Sequence, residues 1–279
     1  MKWTIVVALI SVFVVTGWAK PIEKDRAKPP NKSGAASVGS ENPGRTEKAF
    51  AITTVAYNQQ DRKRDMYPKA VPNLMRYLSE HSKLRVQVQA PTIRLTDSAL
   101  FRAPFIYITG YDCVMKLTDA EVANLGKYLR SGGFLFADDI APDMDRKGNL
   151  GGRHVNPQRG LRGTAFDQQM KAILAKALGT DAKFFAIPRG HALFHSFYDF
   201  DYGPPLAGAI GGNVRDLEGI EIGGRSVVVF SDLNISWYWG EKHVSYRDPG
   251  LQFGVNLIVY ALTQRGGIAH VGDYMKREE

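Results

Sequence analysis

Apolar residues recur with two alternating periods along most of this chain, and the stretch from Phe105 to Asp139 shows both within one unit. Phe105 to Thr109 is a continuous apolar and β-branched run closed by Gly110, the pattern of a strand covered on both faces of a parallel sheet. Thr118 and Glu121 then stand at capping-box spacing, where the Thr oxygen takes the N3 amide and the Glu reaches back to the cap. Val122, Leu125 and Leu129 follow at spacings of three and four and predict a helix with one apolar stripe. Lys127 and Arg130 lie near its end, where the helix dipole favours cations, and Gly132-Gly133 stops it. Phe134 to Ala137 is the next buried strand, and it runs into two adjacent carboxylates, Asp138 and Asp139.

The same alternation extends in both directions. Phe50 to Tyr57 predicts a first strand, Pro68 to His81 a helix carrying Val71, Leu74 and Leu78, and Leu84 to Val88 a second strand, with Pro91 to Leu100 as a connection. Beyond Asp139, Thr164 caps a helix striped by Phe166, Met170, Ile173 and Ala177 and stopped by Gly179. Phe184 to Ile187 is a short strand, and Ile220 to Ser231 a hairpin around Gly223-Gly224. Asp248, Pro249 and the stripe Leu251, Val255, Ile258, Leu262 define a last helix. Strands alternating with helices imply an α/β fold, a three-layer α/β/α sandwich on a mostly parallel sheet. Ligands in such sheets sit outside the carboxyl ends of the strands, where Asp138 and Asp139 fall.

The ends of the chain break this pattern. Lys2, the apolar run Ile5 to Val15 and small residues at Gly17 and Ala19 resemble a secretory signal peptide over residues 1–19, cleaved after Ala19. The run is shorter than the ~20 residues of a comfortable membrane span, so the expectation is a periplasmic or secreted protein with no span after cleavage. It is not a lipoprotein, because the only cysteine is Cys113, and one cysteine also excludes an intramolecular disulfide. Residues 20–48 are rich in Pro, Lys, Ser, Gly and Asn and have little to bury, as expected of a disordered linker. A single domain is therefore expected over residues 49–265, with 266–279 as a polar tail. The net charge of +8 is moderately basic, and with no nucleic-acid motif it gives no reason to invoke DNA or RNA as a partner.

Three constellations could carry chemistry. Asp138, Asp139, His191 and His195 could hold a divalent metal if the run HALFH is helical, since i and i+4 imidazoles share a face. The general-base Glu of an HExxH motif is absent, and His195 packed on aromatics with His191 bonded to a loop carbonyl is the competing reading. Cys113 lies in a turn with no nucleophile elbow around it, which suits a half-buried thiol better than a catalytic one. Adjacent aspartates on a strand point to opposite faces, so only one can line a given cleft while the other caps backbone amides. The segment from Arg146 to Gly163 has five glycines, six basic or imidazole side chains and no acid. It is either a solvated insertion or an anion clamp built on Arg153, Arg159 and Arg162. Asn234 and Trp237, beyond the carboxyl end of SVVVFS, are further ligand-binding candidates.

The runs PFIYITG, YLRSGGFLFADD, FDQQMKAIL, IPRGHALFHSFYDF, GIEIGGRSVVVFSD and GVNLIVYALTQ, in that order over Phe50 to Gln264, resemble the bacterial family called domain of unknown function 4159. That family is similar in fold to class I glutamine amidotransferases, so the resemblance implies a flavodoxin-like sandwich. In an amidotransferase the nucleophilic cysteine would follow FLFA, where this chain has Asp138 and Asp139. The His-x-Glu pair would follow VVVF, where this chain has Ser231, Asp232 and Asn234. The resemblance thus implies the scaffold without the triad and no glutaminase activity. Two functions stay open: an exported, non-catalytic module binding a small ligand or an envelope protein partner, and a metal-dependent hydrolase using Asp138 or Asp139 with His191 and His195.

Overall fold

The computed structural model describes residues 48–59, 67–110, 115–140, 162–206, 214–240 and 247–276. In chain order these form β1 (Thr53–Val55), β2 (Asn58–Gln59), α1 (Ala70–His81), β3 (Thr92–Ile93), β4 (Phe105–Gly110), β5 (Met115–Lys116), α2 (Asp119–Arg130), β6 (Phe134–Asp139), α3 (Ala165–Leu178), β7 (Phe184–Ala186), β8 (Glu218–Ile222), β9 (Arg225–Ser231), α4 (Ile235–Gly240) and α5 (Arg247–Thr263). No helix among the described residues is long and apolar enough to cross a membrane.

Seven strands form one sheet in the order β3-β1-β4-β6-β9-β8-β7, while β2 and β5 pair as a small antiparallel ribbon. From β3 to β9 all neighbours are parallel; β8 runs against β9, and β7 against β8, so β7 regains the common direction. The chain leaves β1 for β3 on one side and returns to β4 on the other. This is the doubly wound order 2-1-3-4-5, with a switch of direction between β1 and β4.

Side-chain alternation divides the core. Phe105, Tyr107, Phe134, Phe136 and Val229 face a layer made by α1, α4 and α5. Ile106, Ile108, Leu135, Ala137, Val228 and Phe230 face the opposite layer, α2 and α3. The three-layer sandwich follows, because a strand that is apolar on both sides must be covered twice. The capping box of α2 forms as its spacing predicts, with Thr118 Oγ1 accepting from Glu121 N and Glu121 Oε2 accepting from Thr118 N. At its other end the buried Arg225 guanidinium donates to the carbonyls of Leu129 and Gly133, a cation at a helix C-terminus.

One strand lies elsewhere than expected, and two further segments take a definite form. The strand beside β1 is Thr92–Ile93, not Leu84 to Val88, where Leu84 and Val86 make only isolated bridges. The run HALFH, whose two imidazoles share a face only if it is helical, is a 3-10 turn over Ala192–His195. It is held on α5 by the buried Asn256, which accepts from Tyr198 N at 2.8 Å and donates to the carbonyls of Leu193 and Tyr198. Residues 266–276 pack on the domain: Tyr274 is buried edge-on against Phe50, its carbonyl accepts from Arg85 N, and Lys276 N donates to Lys83 O. Apolar Ile268, Val271 and Tyr274 in that segment have surface to bury, which outweighs its polar average.

Helices α2 and α3 meet where Gly126 lies against the Ala177 carbonyl, and a Cβ at 126 would overlap that oxygen. Gly126→Ala is expected to force the helices apart at a cost of about 1–3 kcal/mol. Thermal unfolding checks this, each kcal/mol corresponding to roughly 2–4 °C in a domain of this size; an unchanged Tm would show that the crossing is not tight.

Candidate functional site

Strand β6 ends at the carboxyl edge of the sheet, and its last two residues diverge. Asp138 continues the face of Phe134 and Phe136 and meets the start of α4. Its carboxylate accepts from Ile235 N at 3.2 Å, from Ser236 N at 2.7 Å and from the Ser236 hydroxyl. It is fully buried, and burial pushes its pKa up to about 6 against the opposing pull of these donors. Asp138 is thus the residue of the pair that caps backbone amides. Asn234, just ahead of α4, is also buried and adopts a left-handed φ of 56°, and Trp237 stacks edge-on with Tyr238.

Asp139 continues the other face and accepts from Thr164 Oγ1, the hydroxyl that caps α3 by accepting from Asp167 N. Around it lies a group of charges that the pattern of the sequence does not reveal. Asp232 follows β9, Asp167 lies in the first turn of α3, and Glu218 opens β8, which the strand's reversal carries to the carboxyl edge opposite Phe230. The ligand oxygens of Asp167, Glu218 and Asp232 all lie within 4.8 Å of one another. Lys171 Nζ reaches Asp167 Oδ1 at 2.7 Å and Glu218 Oε2 at 2.5 Å, and also sits over the Phe184 and Phe230 rings. Arg162 Nε lies 3.3 Å from Glu218 and 3.4 Å from Asp232, while its Nη2 holds Asp216 at 3.1 Å.

Two carboxyls in this group are pushed upward. Burial raises Asp232 to about 7, helped by the charges of Asp167 and Glu218 and opposed by those of Lys171 and Arg162. Burial likewise raises Asp139 well above its ordinary value, opposed by the Thr164 hydroxyl and reinforced by Asp232, Asp138 and Asp167. Oδ1 of Asp232 is buried with no hydrogen-bond donor among the described residues.

The histidines are elsewhere. His191 Nδ1 accepts from Leu193 N, and its Nε2 lies 3.7 Å from Glu221 and 3.5 Å from the Tyr260 hydroxyl. Glu221 pairs with Ser226, five residues before Ser231 on β9 and therefore about 16 Å back from the carboxyl edge. His195 bonds Asp199 at 3.0 Å and the Arg189 carbonyl at 3.2 Å, and Asp199 beside it raises its imidazole pKa. The structure therefore joins Asp139 to the Arg162 group and Asp138 to the segment of Asn234 and Trp237, but does not bring His191 or His195 to either aspartate. Arg162 grips carboxylates of the protein itself. Arg153, Arg159 and Cys113 lie outside the described residues, as does Arg146 to Leu161.

A second feature of the carboxyl edge is a cavity of about 140 Å³ at the switch between β1 and β4, lined by Thr54, Tyr67, Val71, Ala90, Tyr107 and Thr109 among others. It lies on the α1 side of the sheet, at the place where doubly wound folds hold ligands.

Fold and edge together define a doubly wound α/β domain with a small cleft at its switch point and a carboxylate cluster at the ends of β6 and β9 and the start of β8. The chain belongs to the family described as domain of unknown function (DUF4159), whose profile matches residues 51–262. A search of curated proteins finds no match.

The raised Asp138 has a consequence for pH. A carboxyl that stays protonated in the fold above its ordinary 3.8 contributes stability below that pH and loses it as pH rises through about 6. Unfolding free energy of the protein is expected to fall by a few kcal/mol between pH 4 and 7, and Asp138→Asn to flatten the part of that fall ending near pH 6. Urea unfolding at intervals across this range is the measurement; parallel curves for the two proteins would contradict it.

Proposed function

We propose that this protein is an exported, non-catalytic binding module of the bacterial envelope, an amidotransferase-like scaffold that holds a small polar ligand in the switch-point cleft. One observation carries the reading: Asp138, at the position after FLFA where an amidotransferase-like enzyme would carry its nucleophile, is a buried carboxylate committed to three donors at the start of α4. A group so committed is buried at the start of α4 and closed to a substrate, and the hydrolase alternative would require His191 and His195 to leave their present partners. The cavity volume bounds the ligand. About 140 Å³ is less than half of the ~300 Å³ at which pockets for drug-sized molecules begin. That favours a molecule the size of an amino acid, a monosaccharide or a short carboxylate over a nucleotide or flavin. Export rests on the apolar run and small residues ahead of Lys20.

Two measurements test this. Thermal-shift and ligand-observed NMR screening of free amino acids, monosaccharides and short carboxylates should find a binder that Ala90→Phe, which fills the cleft, loses at least tenfold. The same preparation should show no turnover in an ester, amide and glycoside panel; hydrolysis abolished by Asp139→Asn would overturn the reading. N-terminal sequencing of protein from the envelope fraction should begin at Lys20, and a retained Met1 would argue against cleavage.

A further inference from the structure

The carboxylates on the α3 side of the edge bear on a different ligand. Asp167, Glu218 and Asp232 come from three separate elements, yet their ligand oxygens fall within 4.8 Å of one another. Two oxygens bound to one hard cation at 2.0–2.6 Å stand at most about 5 Å apart, so this spacing suits a single ion. Nearby Asp139 brings the group to four carboxylates against two cations, Lys171 and Arg162. Arg162 is shared with Asp216, so carboxylates outnumber cations here, and a divalent ion in the place of the Lys171 ammonium adds one positive charge to the group. The independent observation is Asp232 itself: its side chain is 2% exposed, and Oδ1 has no hydrogen-bond donor among the described residues. A buried acceptor left in that condition costs about 1–3 kcal/mol, more when charged, unless something binds it.

We propose that Asp167, Glu218 and Asp232 form a binding site for one hard divalent cation of the magnesium, manganese or calcium class, which displaces the Lys171 ammonium. An all-oxygen donor set without His or Cys selects these ions over zinc or copper. Solvent has a route in, since the Arg162 side chain over the cluster is 39% exposed and Glu218 is 15% exposed. Lys171 now bridges Asp167 and Glu218, the two carboxylates an ion would also bridge, so ammonium and ion are alternative counter-charges. The site is on the opposite face of the sheet from the switch-point cleft and stands independently of the binding function assigned there.

The test uses the full mature chain, stripped with chelator and dialysed. Manganese is titrated by calorimetry and by loss of the free-ion EPR signal, with thermal unfolding alongside. The expected result is saturable one-to-one binding with a rise in Tm, competed by magnesium or calcium. Asp232→Asn should weaken it at least tenfold, while Asp199→Asn, on the exposed turn at His195, and Ala90→Phe, in the cleft, should leave it unchanged. If Asp232→Asn does not fold, Glu218→Gln serves the same purpose. Lys171→Met separates the proposal from a purely structural ion network: it should lower the Tm of the stripped protein, and manganese should restore it with affinity equal to or tighter than that of the parent. No saturation by about 10 mM, beyond the range of the weakest extracellular calcium sites, would overturn the proposal. So would equal losses in Asp232→Asn and Asp199→Asn, or no binding to a folded Lys171→Met protein.

Discussion

A sheet covered on both faces allows a polar side chain only where its strand ends, and only where the layer it points into supplies a partner. Strand β6 is the central case. Four apolar residues alternate between the two cores, and the fifth and sixth positions are aspartates that must go opposite ways. Asp138 becomes the anchor of α4 and Asp139 that of the α3 cap. The two helices are thereby attached to adjacent residues from opposite sides of the sheet. The burial cost of Asp138 is offset by amides that a helix start leaves unsatisfied in any case, and that of Asp139 by the Thr164 hydroxyl. The geometry of the carboxyl edge follows, because moving either aspartate would free a helix end as well as a side chain.

This arrangement commits both carboxylates at the end of β6 to helix starts. A nucleophile after the central strand must project into a cleft. Here the equivalent position projects into α4, and its partner projects into a carboxylate cluster under Arg162 and Lys171. The room for a ligand lies one strand across, between β1 and β4, where Thr109 ties the two regions together by donating from Oγ1 to the Asp138 carbonyl. Cleft and cluster therefore share a backbone without sharing a face.

Most of the fold was legible because its signals are local. Thr118 with Glu121, Thr164 with Asp167, the Gly132 and Gly179 stops and the apolar runs of β4, β6 and β9 each act within a few residues. The divergence of Asp138 and Asp139 was legible for the same reason. What escaped were arrangements set by distant partners. Glu218 reaches the site only because β8 runs backwards, and nothing in its own neighbourhood marks it. HALFH has helical spacing that Pro188 and Gly190 argue against, and what escaped was Asn256 on α5 fixing it in a tighter turn. Thr92–Ile93 looked like a connection because a two-residue strand is shorter than any periodicity can show. Asp232 was visible as the residue after VVVF, and its role depended on Arg162, which is contributed by a segment of the sequence far from it.

Both ends of the described fold meet at one corner. Phe50 bridges to Val86 and Tyr274 packs on Phe50, upstream of β1 and β3 and so at the amino edge of the sheet. Cleft and carboxylates are at the opposite edge. A tag, label or surface linkage attached at either end of the domain is therefore remote from both, and protein immobilised through one of them presents its whole carboxyl edge to the solution. The same corner makes the two ends candidates for joining in a circular permutant, with new ends opened elsewhere and the carboxyl edge untouched.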